Sequence, residues 1–293
     1  MIQTLAVKFR TDDEGALAVA KELSAFSKAN GIRLLFSEDA KGKADLENFI
    51  TDADTFVSKP ELAIAIGGDG TFLHTARIFA KRNIPVMGIN RGRLGFLTAF
   101  NPDEYMKYLP DILSGNMVSS PRAVFSVSVL RNGKEENKEE SFDFINDAVL
   151  YRASFARIVP FVLELDGELL SKYTGDGLIV STATGSTAYS LSAGGPILAP
   201  QLHDVFLLTP ICPHSLGMRP LVLPVSAVLK VRIESGDGNL LLTMDGQQAI
   251  KIDESDEIVF NGSDHKINLV SHPEKNFYNI LREKFSWGKL EGA

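Results

Sequence analysis

The sequence has 293 residues, 44% of them hydrophobic and 23% charged, a length and balance that suit about two globular domains with a sizeable core. A formal charge of -7 argues against a nucleic-acid partner, which calls for a basic stripe to neutralise phosphates. It also means that a site for a polyanion must draw positive character from backbone N–H groups, a few Arg or Lys side chains, or a metal ion.

From the start, Ile2 to Phe9 is an apolar strand candidate, and Glu14 to Asn30 carries Leu17, Ala20, Leu23 and Ser24 at helical spacing before Gly31. Ile32 to Phe36 reads as a second strand, Ala44 to Ala53 as a short helix, and Leu62 to Ile66 as a third strand bounded by Pro60 and Gly67. Thr71 to Arg82 is helical and Ile84 to Ile89 is strand again. Strands alternating with helices predict a parallel sheet covered on both faces. After about Phe100, and one more helix candidate from Pro102 to Leu113, strands dominate. Asn132-Gly133, Asp166-Gly167 and Asp245-Gly246 each follow an apolar run, which marks tight hairpins because such turns demand positive φ angles. The charge cluster Lys134 to Glu140 reads as a solvated hairpin tip. The expected fold is thus an α/β N-terminal domain with a parallel sheet, followed by an all-β, sandwich-like C-terminal domain.

Met1-Ile2-Gln3-Thr4-Leu5 shows no charged segment leading into an apolar block, and no stretch approaches the roughly 20 apolar residues that span a bilayer. Cys212 is the one cysteine, so neither an internal disulfide nor a cysteine-built zinc site can form. A cytoplasmic setting without a membrane partner is expected. In Leu208-Thr209-Pro210-Ile211-Cys212 the thiol reads as a small buried hydrophobe with no role.

The chemistry concentrates at Gly67-Gly68-Asp69-Gly70-Thr71, a glycine turn between a buried strand and a helix. Ligands of open α/β sheets bind at such strand ends. The glycines allow close backbone approach to phosphates, and the helix that follows offers a positive dipole end. Asp69 breaks that pattern. A carboxylate in a phosphate cradle is repulsive unless it binds a metal or takes a proton from an attacking hydroxyl; the other reading is a plain strand-to-helix turn that Asp69 caps. No Gly-Lys-Ser or Gly-Lys-Thr follows, so there is no P-loop, and Leu73 stands where the last glycine of a dehydrogenase fingerprint belongs.

This turn resembles the signature shared by NAD kinases, diacylglycerol and sphingosine kinases and 6-phosphofructokinases. The second half separates them, because the run from Asp176 through Thr184-Gly185-Ser186-Thr187-Ala188-Tyr189-Ser190-Leu191-Ser192 to Pro196 is similar to the glycine-rich segment of bacterial NAD kinases. Asn146-Asp147, Thr209 to Leu216, Arg219 to Val222, Asp245-Gly246-Gln247 and Leu281 to Trp287 extend the resemblance over nearly the whole chain.

The resemblance implies phosphorylation of the 2'-hydroxyl of the adenosine ribose of NAD by ATP, with Mg²⁺ or another divalent cation, in a homodimer or homotetramer. The change of period near residue 100 sets 1–100 apart as the α/β nucleotide-binding domain carrying the turn, expected to be completed by 271–293, and 101–270 as a β-rich NAD-binding domain. Asp69 is then the catalytic base, and no metal ligand is assigned. Gly68, Gly70 and His74 are carried over as nucleotide contacts, with Arg157 as a local source of positive charge. Thr174 and Asp176 follow, the latter accepting from the nicotinamide carboxamide. Thr184, Thr187, Ala188, Tyr189, Ser190, Leu191 and Ser192 grip the adenosine side, with Gln247 nearby. Where the family usually reads Asn-Glu this chain has Asn146-Asp147, one methylene shorter, at a position implicated in holding ribose hydroxyls. A lipid or sugar kinase sharing the turn, and a non-catalytic dinucleotide sensor in which Asp69 is structural, are the alternatives.

Overall fold

A computed structural model describes residues 1–43, 45–92, 94–131, 139–152, 158–234 and 240–286, in two compact units: 1–121 with 267–293, and 122–266. The first unit opens with β1 (Thr4–Phe9), α1 (Glu14–Ala29) and β2 (Arg33–Phe36). Asp13 caps α1 by accepting from the Ala16 N–H at 3.0 Å, and Gly31 at φ +67° turns the chain out of it. The helix expected from Ala44 to Ala53 is not formed among the described residues of that stretch. Glu47–Phe49 makes only a 3-10 turn, after which Ile50 bridges to Phe36 in parallel and Thr51 donates to the Phe36 carbonyl at 3.0 Å, holding those two residues beside β2. Asp52 then caps α2 (Ala53–Ser58) through the Thr55 N–H at 2.8 Å.

β3 (Leu62–Gly67) is buried along its whole length, as a strand covered on both faces must be, and runs into α3 (Asp69–Ala80) and β4 (Val86–Asn90). Strand order β2-β1-β3-β4 is parallel throughout, with Val7 beside Ile64 and Gly67 beside Asn90. The order reverses between β1 and β3, the switch point at which open α/β sheets present their ligand sites. α4 (Tyr105–Ser114) packs fully buried Tyr105 into the same core, where its hydroxyl donates to Glu22 Oε2 at 2.9 Å. This contact carries the first unit to Pro121, beyond the change in periodicity near residue 100. The unit is completed by Leu269, paired with Val86, and by a C-terminal helix, Phe277–Phe285.

The second unit holds two antiparallel layers around one apolar core. β5 (Ser119–Leu130) pairs with β6 (Glu139–Phe144) from Phe125↔Phe144 to Leu130↔Glu139; the Asn132-Gly133 turn and most of the charge cluster lie outside the described residues. β7 (Asp147–Arg152), β8 (Val159–Leu165), β9 (Glu168–Gly175) and β10 (Gly177–Thr182) follow. A single helical turn, α5 (Tyr189–Ser192), precedes β11 (Val205–Ile211), β12 (Leu221–Pro224), β13 (Leu229–Ile233), β14 (Leu240–Met244), β15 (Gln248–Ile252) and β16 (Glu257–Val270). One sheet has the order β12-β11-β10-β7-β14-β15; the other runs β16-β13-β8-β9, with β5 paired to β16 and β6 to β5. Phe125, Phe144, Phe161, Phe206 and Phe260 are buried in the core of this unit. The expected hairpin turns are present at Asp166-Gly167 (φ +52° and +86°) and Asp245-Gly246 (φ +51° and +64°).

Gly88, in the middle of β4, is fixed by close approach. A Cβ there would stand 2.8 Å from the Leu97 carbonyl oxygen, 2.9 Å from Thr98 Cα and 3.0 Å from Phe72. Gly88→Ala should therefore cost roughly 1–3 kcal/mol, read as a lowered urea midpoint, and should lower activity by lifting the 96–98 segment away from the sheet.

Candidate active site

In the first unit the glycine turn lies where β3 becomes α3. Gly68 is the N-terminal cap residue and supplies no side chain for capping; Gly68 and Gly70 are both exposed, and a Cβ on Gly68 would meet nothing within 4 Å. Gly67 has no such room, because a Cβ there would fall 2.4 Å from Thr71 Oγ1. Asp69 does not cap its own helix. Its carboxylate accepts from the backbone N–H groups of Phe96 (3.0 Å), Leu97 (3.1 Å) and Thr98 (3.2 Å) and from the Thr98 hydroxyl (3.0 Å). Four donors hold it in one orientation at the head of α3.

His74 is exposed on α3, five residues and so about 140° around the helix from Asp69. Partial burial, then the neighbouring charges of Lys8 and Arg77, pull its imidazole below the usual range. Arg91, which the sequence reading did not select, donates its N–H to the Gly67 carbonyl at 3.0 Å, and its guanidinium lies against Gly15, 3.5 Å from Asp13. It brings positive charge to the strand ends beside the glycine turn.

In the second unit a cavity of about 730 Å³ is lined by Asp147, Val149, Tyr151, Arg152, Asp176, Tyr189, Ile211, Cys212, Thr243 and Gly246, a size within the range of small-molecule sites. The structure thus brings Asp147, Asp176 and Tyr189 of the expected residues together. Tyr189 is 47% exposed, so its ring stands outside the core. Thr184 and Thr187 are half-buried on the turn before it, and the Thr187 hydroxyl donates to the Thr184 carbonyl at 3.3 Å. Ser190 faces inward, fully buried, its hydroxyl 2.8 Å from that of Thr209. Ala188 and Leu191 are half-buried, and Ser192 and Gln247 are exposed. Thr174 is exposed on β9, where its carbonyl accepts from the His214 N–H at 2.8 Å. Arg157 lies outside the described residues.

Asn146 and Asp147 are held from two sides. Asp245, at the positive φ of its turn, accepts from the N–H groups of Ile145 (3.1 Å), Asn146 (2.7 Å) and Asp147 (3.3 Å). From the other side, Gly185 approaches so closely that a Cβ would stand 2.0 Å from the Asn146 carbonyl oxygen. Among the described residues, the Asn146 Oδ1 is buried without a hydrogen-bond partner. Asp147 is only 5% exposed, and burial, reinforced by the Asp245 charge, pushes its carboxyl up to about 7 against the opposing bond from the Tyr189 N–H.

Cys212 corrects the sequence reading. It is exposed, at φ +44°, on the rim of this cavity, because the chain turns sharply where β11 ends. Arg152 was also not selected, and its position at the end of β7 gives the cavity a cation. Among the described residues no group of three or more His, Cys, Asp or Glu side chains converges as a metal cage, and no helix is long and apolar enough to cross a membrane.

A parallel α/β unit whose glycine turn presents a fixed carboxylate at a helix head, in one chain with a β-sandwich unit that holds a polar-rimmed cavity, fits a nucleotide-dependent phosphotransferase. Residues 5–117 match the family model described as the ATP-NAD kinase N-terminal domain, and residues 145–272 that of the C-terminal domain. The chain is 37% identical to the NAD kinase of Chlorobium phaeobacteroides over 97% of its own length and 96% of that protein's. It is 41% identical to the NAD kinase of Aquifex aeolicus over 83% and 88%. The crystal structure of yeast NADH kinase complexed with NADH aligns with a TM-score of 0.89 at 26% identity, covering 99% of this chain and 89% of the yeast chain. An NAD kinase from Archaeoglobus fulgidus in complex with ATP shares the fold, with a TM-score of 0.74 at 24% identity over 95% of this chain and 97% of the archaeal one. The chain belongs to the ATP-NAD kinase family, and its activity is phosphoryl transfer to NAD.

The shifted carboxyl of Asp147 gives a pH test. Its raised folded-state value means the folded protein binds a proton that the unfolded chain has already released between about pH 4 and pH 7. That contribution to stability is fully present below pH 4 and is lost as pH rises through 7. Asp147→Asn should flatten this part of the stability–pH profile and raise stability at pH 8 by on the order of 4 kcal/mol, measured by urea denaturation across the range.

Proposed function

We propose that the chain transfers the terminal phosphoryl group of ATP to the 2'-hydroxyl of the adenosine ribose of NAD, giving NADP, with Asp69 as the general base. The observation that carries this is the immobilised Asp69 carboxylate at the head of α3. A ribose hydroxyl is a poor nucleophile near neutral pH, so a carboxylate fixed in place can take its proton as the new O–P bond forms and the donor's P–O bond breaks. Positioning and charge neutralisation supply the rest, with the backbone of Gly68 and Gly70 at the helix head and Arg91 beside it.

For the acceptor, the cavity of the second unit supports Tyr189 as a stacking face, Asp147 as the partner of ribose hydroxyls and Asp176 as the acceptor for the nicotinamide carboxamide. An Asp147 carboxyl poised near neutrality is able to donate or accept a bond there. Asn146, Thr174, Thr184, Thr187, Ala188, Leu191, Ser192 and Gln247 belong to the same proposal, as do His74 and Arg157 on the nucleotide side; Ser190 enters it through its backbone, since its hydroxyl is engaged by Thr209. The described residues do not fit a protein cage for a divalent cation. Mg²⁺ would come with the donor, held by phosphate oxygens and water, and would neutralise phosphate charge. A homodimer or homotetramer in the cytoplasm completes the proposal, supported by exposed Leu221 and Val222 on edge strand β12 and by the single free thiol.

Purified protein should form NADP from NAD, ATP and Mg²⁺. Asp69→Asn should lower kcat by roughly 100-fold or more while the Kd for NAD, from calorimetry, moves little; an active Asn variant would overturn the assignment of the base. Tyr189→Ala should weaken NAD binding by about 10-fold, the loss of one stacked base, with kcat nearly retained.

A further inference from the structure

The four hydrogen bonds on Asp69 are unequally divided. Oδ1 accepts from the Leu97 N–H (3.1 Å), the Thr98 N–H (3.2 Å) and the Thr98 hydroxyl (3.0 Å), whereas among the described residues Oδ2 accepts only from the Phe96 N–H, at 3.0 Å. A carboxylate oxygen offers about two lone-pair directions, so Oδ1 is filled and Oδ2 keeps one open. Three of the four donors are main chain. The fourth is the hydroxyl of Thr98, a residue with no exposed surface. The space for this contact depends on Gly95, where a Cβ would stand 2.0 Å from Asp69 Oδ1 and 2.3 Å from Thr98 Oγ1. Gly88 sets the height of the same segment, since its own missing side chain leaves room for Leu97 and Thr98. The sequence therefore spends two glycines and a buried hydroxyl on the side of Asp69 that faces the loop.

We infer that Thr98 is a positioning residue for phosphoryl transfer: its hydroxyl, together with the Leu97 and Thr98 amides, saturates Oδ1 of Asp69 and leaves Oδ2 as the atom that takes the acceptor's proton. In the step, the acceptor O–H bond breaks and its proton passes to Oδ2. The acceptor oxygen then bonds to the terminal phosphorus of the donor, and the bridging P–O bond breaks with its electron pair on the departing diphosphate. This rests on the reading of Asp69 as the base. If the carboxylate were free to rotate, either oxygen could face the loop and the productive orientation would be one among several; a misplacement of about 1 Å costs on the order of 100-fold in rate.

A purely structural Thr98 and a positioning Thr98 predict opposite responses to two substitutions. Thr98→Val keeps the shape and removes the hydroxyl; Thr98→Ser keeps the hydroxyl and removes the methyl group. With steady-state kinetics in NAD, ATP and Mg²⁺ at a temperature where each variant is fully folded, Thr98→Val should lower kcat by roughly 10- to 100-fold and leave the KM for NAD within about threefold. Thr98→Ser should keep at least about half of the parent kcat. The reverse pattern, a near-normal Val variant and an impaired Ser variant, overturns the inference, because packing and not the hydroxyl would then matter. Should the Val variant not fold, Thr98→Ala takes its place, with the same comparison against Ser. A second arm uses single-turnover rates: in an Asp69→Asn background, Thr98→Val should cost less than about threefold more, since the hydroxyl acts through the carboxylate. Independent, multiplying losses overturn it. An active Asp69→Asn variant defeats the base itself, whereas an inactive Asn variant with a fully active Thr98→Val variant defeats only the positioning.

Discussion

The contact on which the first unit's proposed chemistry depends is the carboxylate of Asp69 gripping three successive amides and a hydroxyl of residues 96–98. A carboxylate at the first position of a helix ordinarily satisfies the helix's own orphan N–H groups or complements its dipole. Here it turns to another segment, so that the head of α3 is left to its backbone. The same bond set ties the segment after β4 to the end of β3, alongside the bond from the Arg91 N–H to the Gly67 carbonyl. With Asp69 as the proposed base, catalytic geometry and loop structure are therefore one arrangement, and a substitution at Asp69 disturbs both.

The second unit uses the same device with a different residue. Asp245, in a turn that requires positive φ, takes the N–H groups of Ile145, Asn146 and Asp147 and so fixes the start of β7. Its negative charge lies close enough to Asp147 to push that carboxyl further up than burial alone does. One aspartate thus shapes the backbone of a site and tunes the proton affinity of the aspartate that faces the cavity. A neutral residue at 245 could hold some of those amides but would not supply that charge.

Much of the fold is legible in the sequence because it follows from local rules. The parallel α/β unit shows itself in apolar runs separated by a 3.6-residue period, and the hairpins of the sandwich in Asp-Gly pairs that sit at positive φ. The stretch after Ala44 misleads because a lateral bridge to Phe36 overrides its helical pattern. The extent of the first unit escapes for a similar reason: Tyr105 packs into that core through tertiary contact, which no periodicity reports. At the site, the glycine turn, Asp147, Asp176 and Tyr189 are readable from residue type and resemblance. Thr98, Gly95, Arg91 and Asp245 are not, since each acts by touching a residue far away in sequence. Cys212 was misread because an apolar strand leads into it, while the chain reverses at that residue and turns it outward.

How a chain of net charge -7 handles two polyanionic nucleotides follows from where its few local cations and dipoles fall. Gly68, the cap residue of α3, puts no side chain over the helix head, Arg91 stands at the strand ends, and Arg152 stands at the rim of the cavity. Three of the carboxyl groups near them are engaged in place. Asp69 is wrapped by four donors, Asp13 accepts from the first turn of α1 and lies 3.5 Å from Arg91, and the Asp147 carboxyl is raised to about 7. Each of these carboxylates would repel phosphate if bare. Engaged as they are, Asp69 and Asp13 have their charge met by nearby donors and Asp147 holds a proton up to about pH 7, which lets local dipoles and cations set the field that a nucleotide meets in an acidic protein.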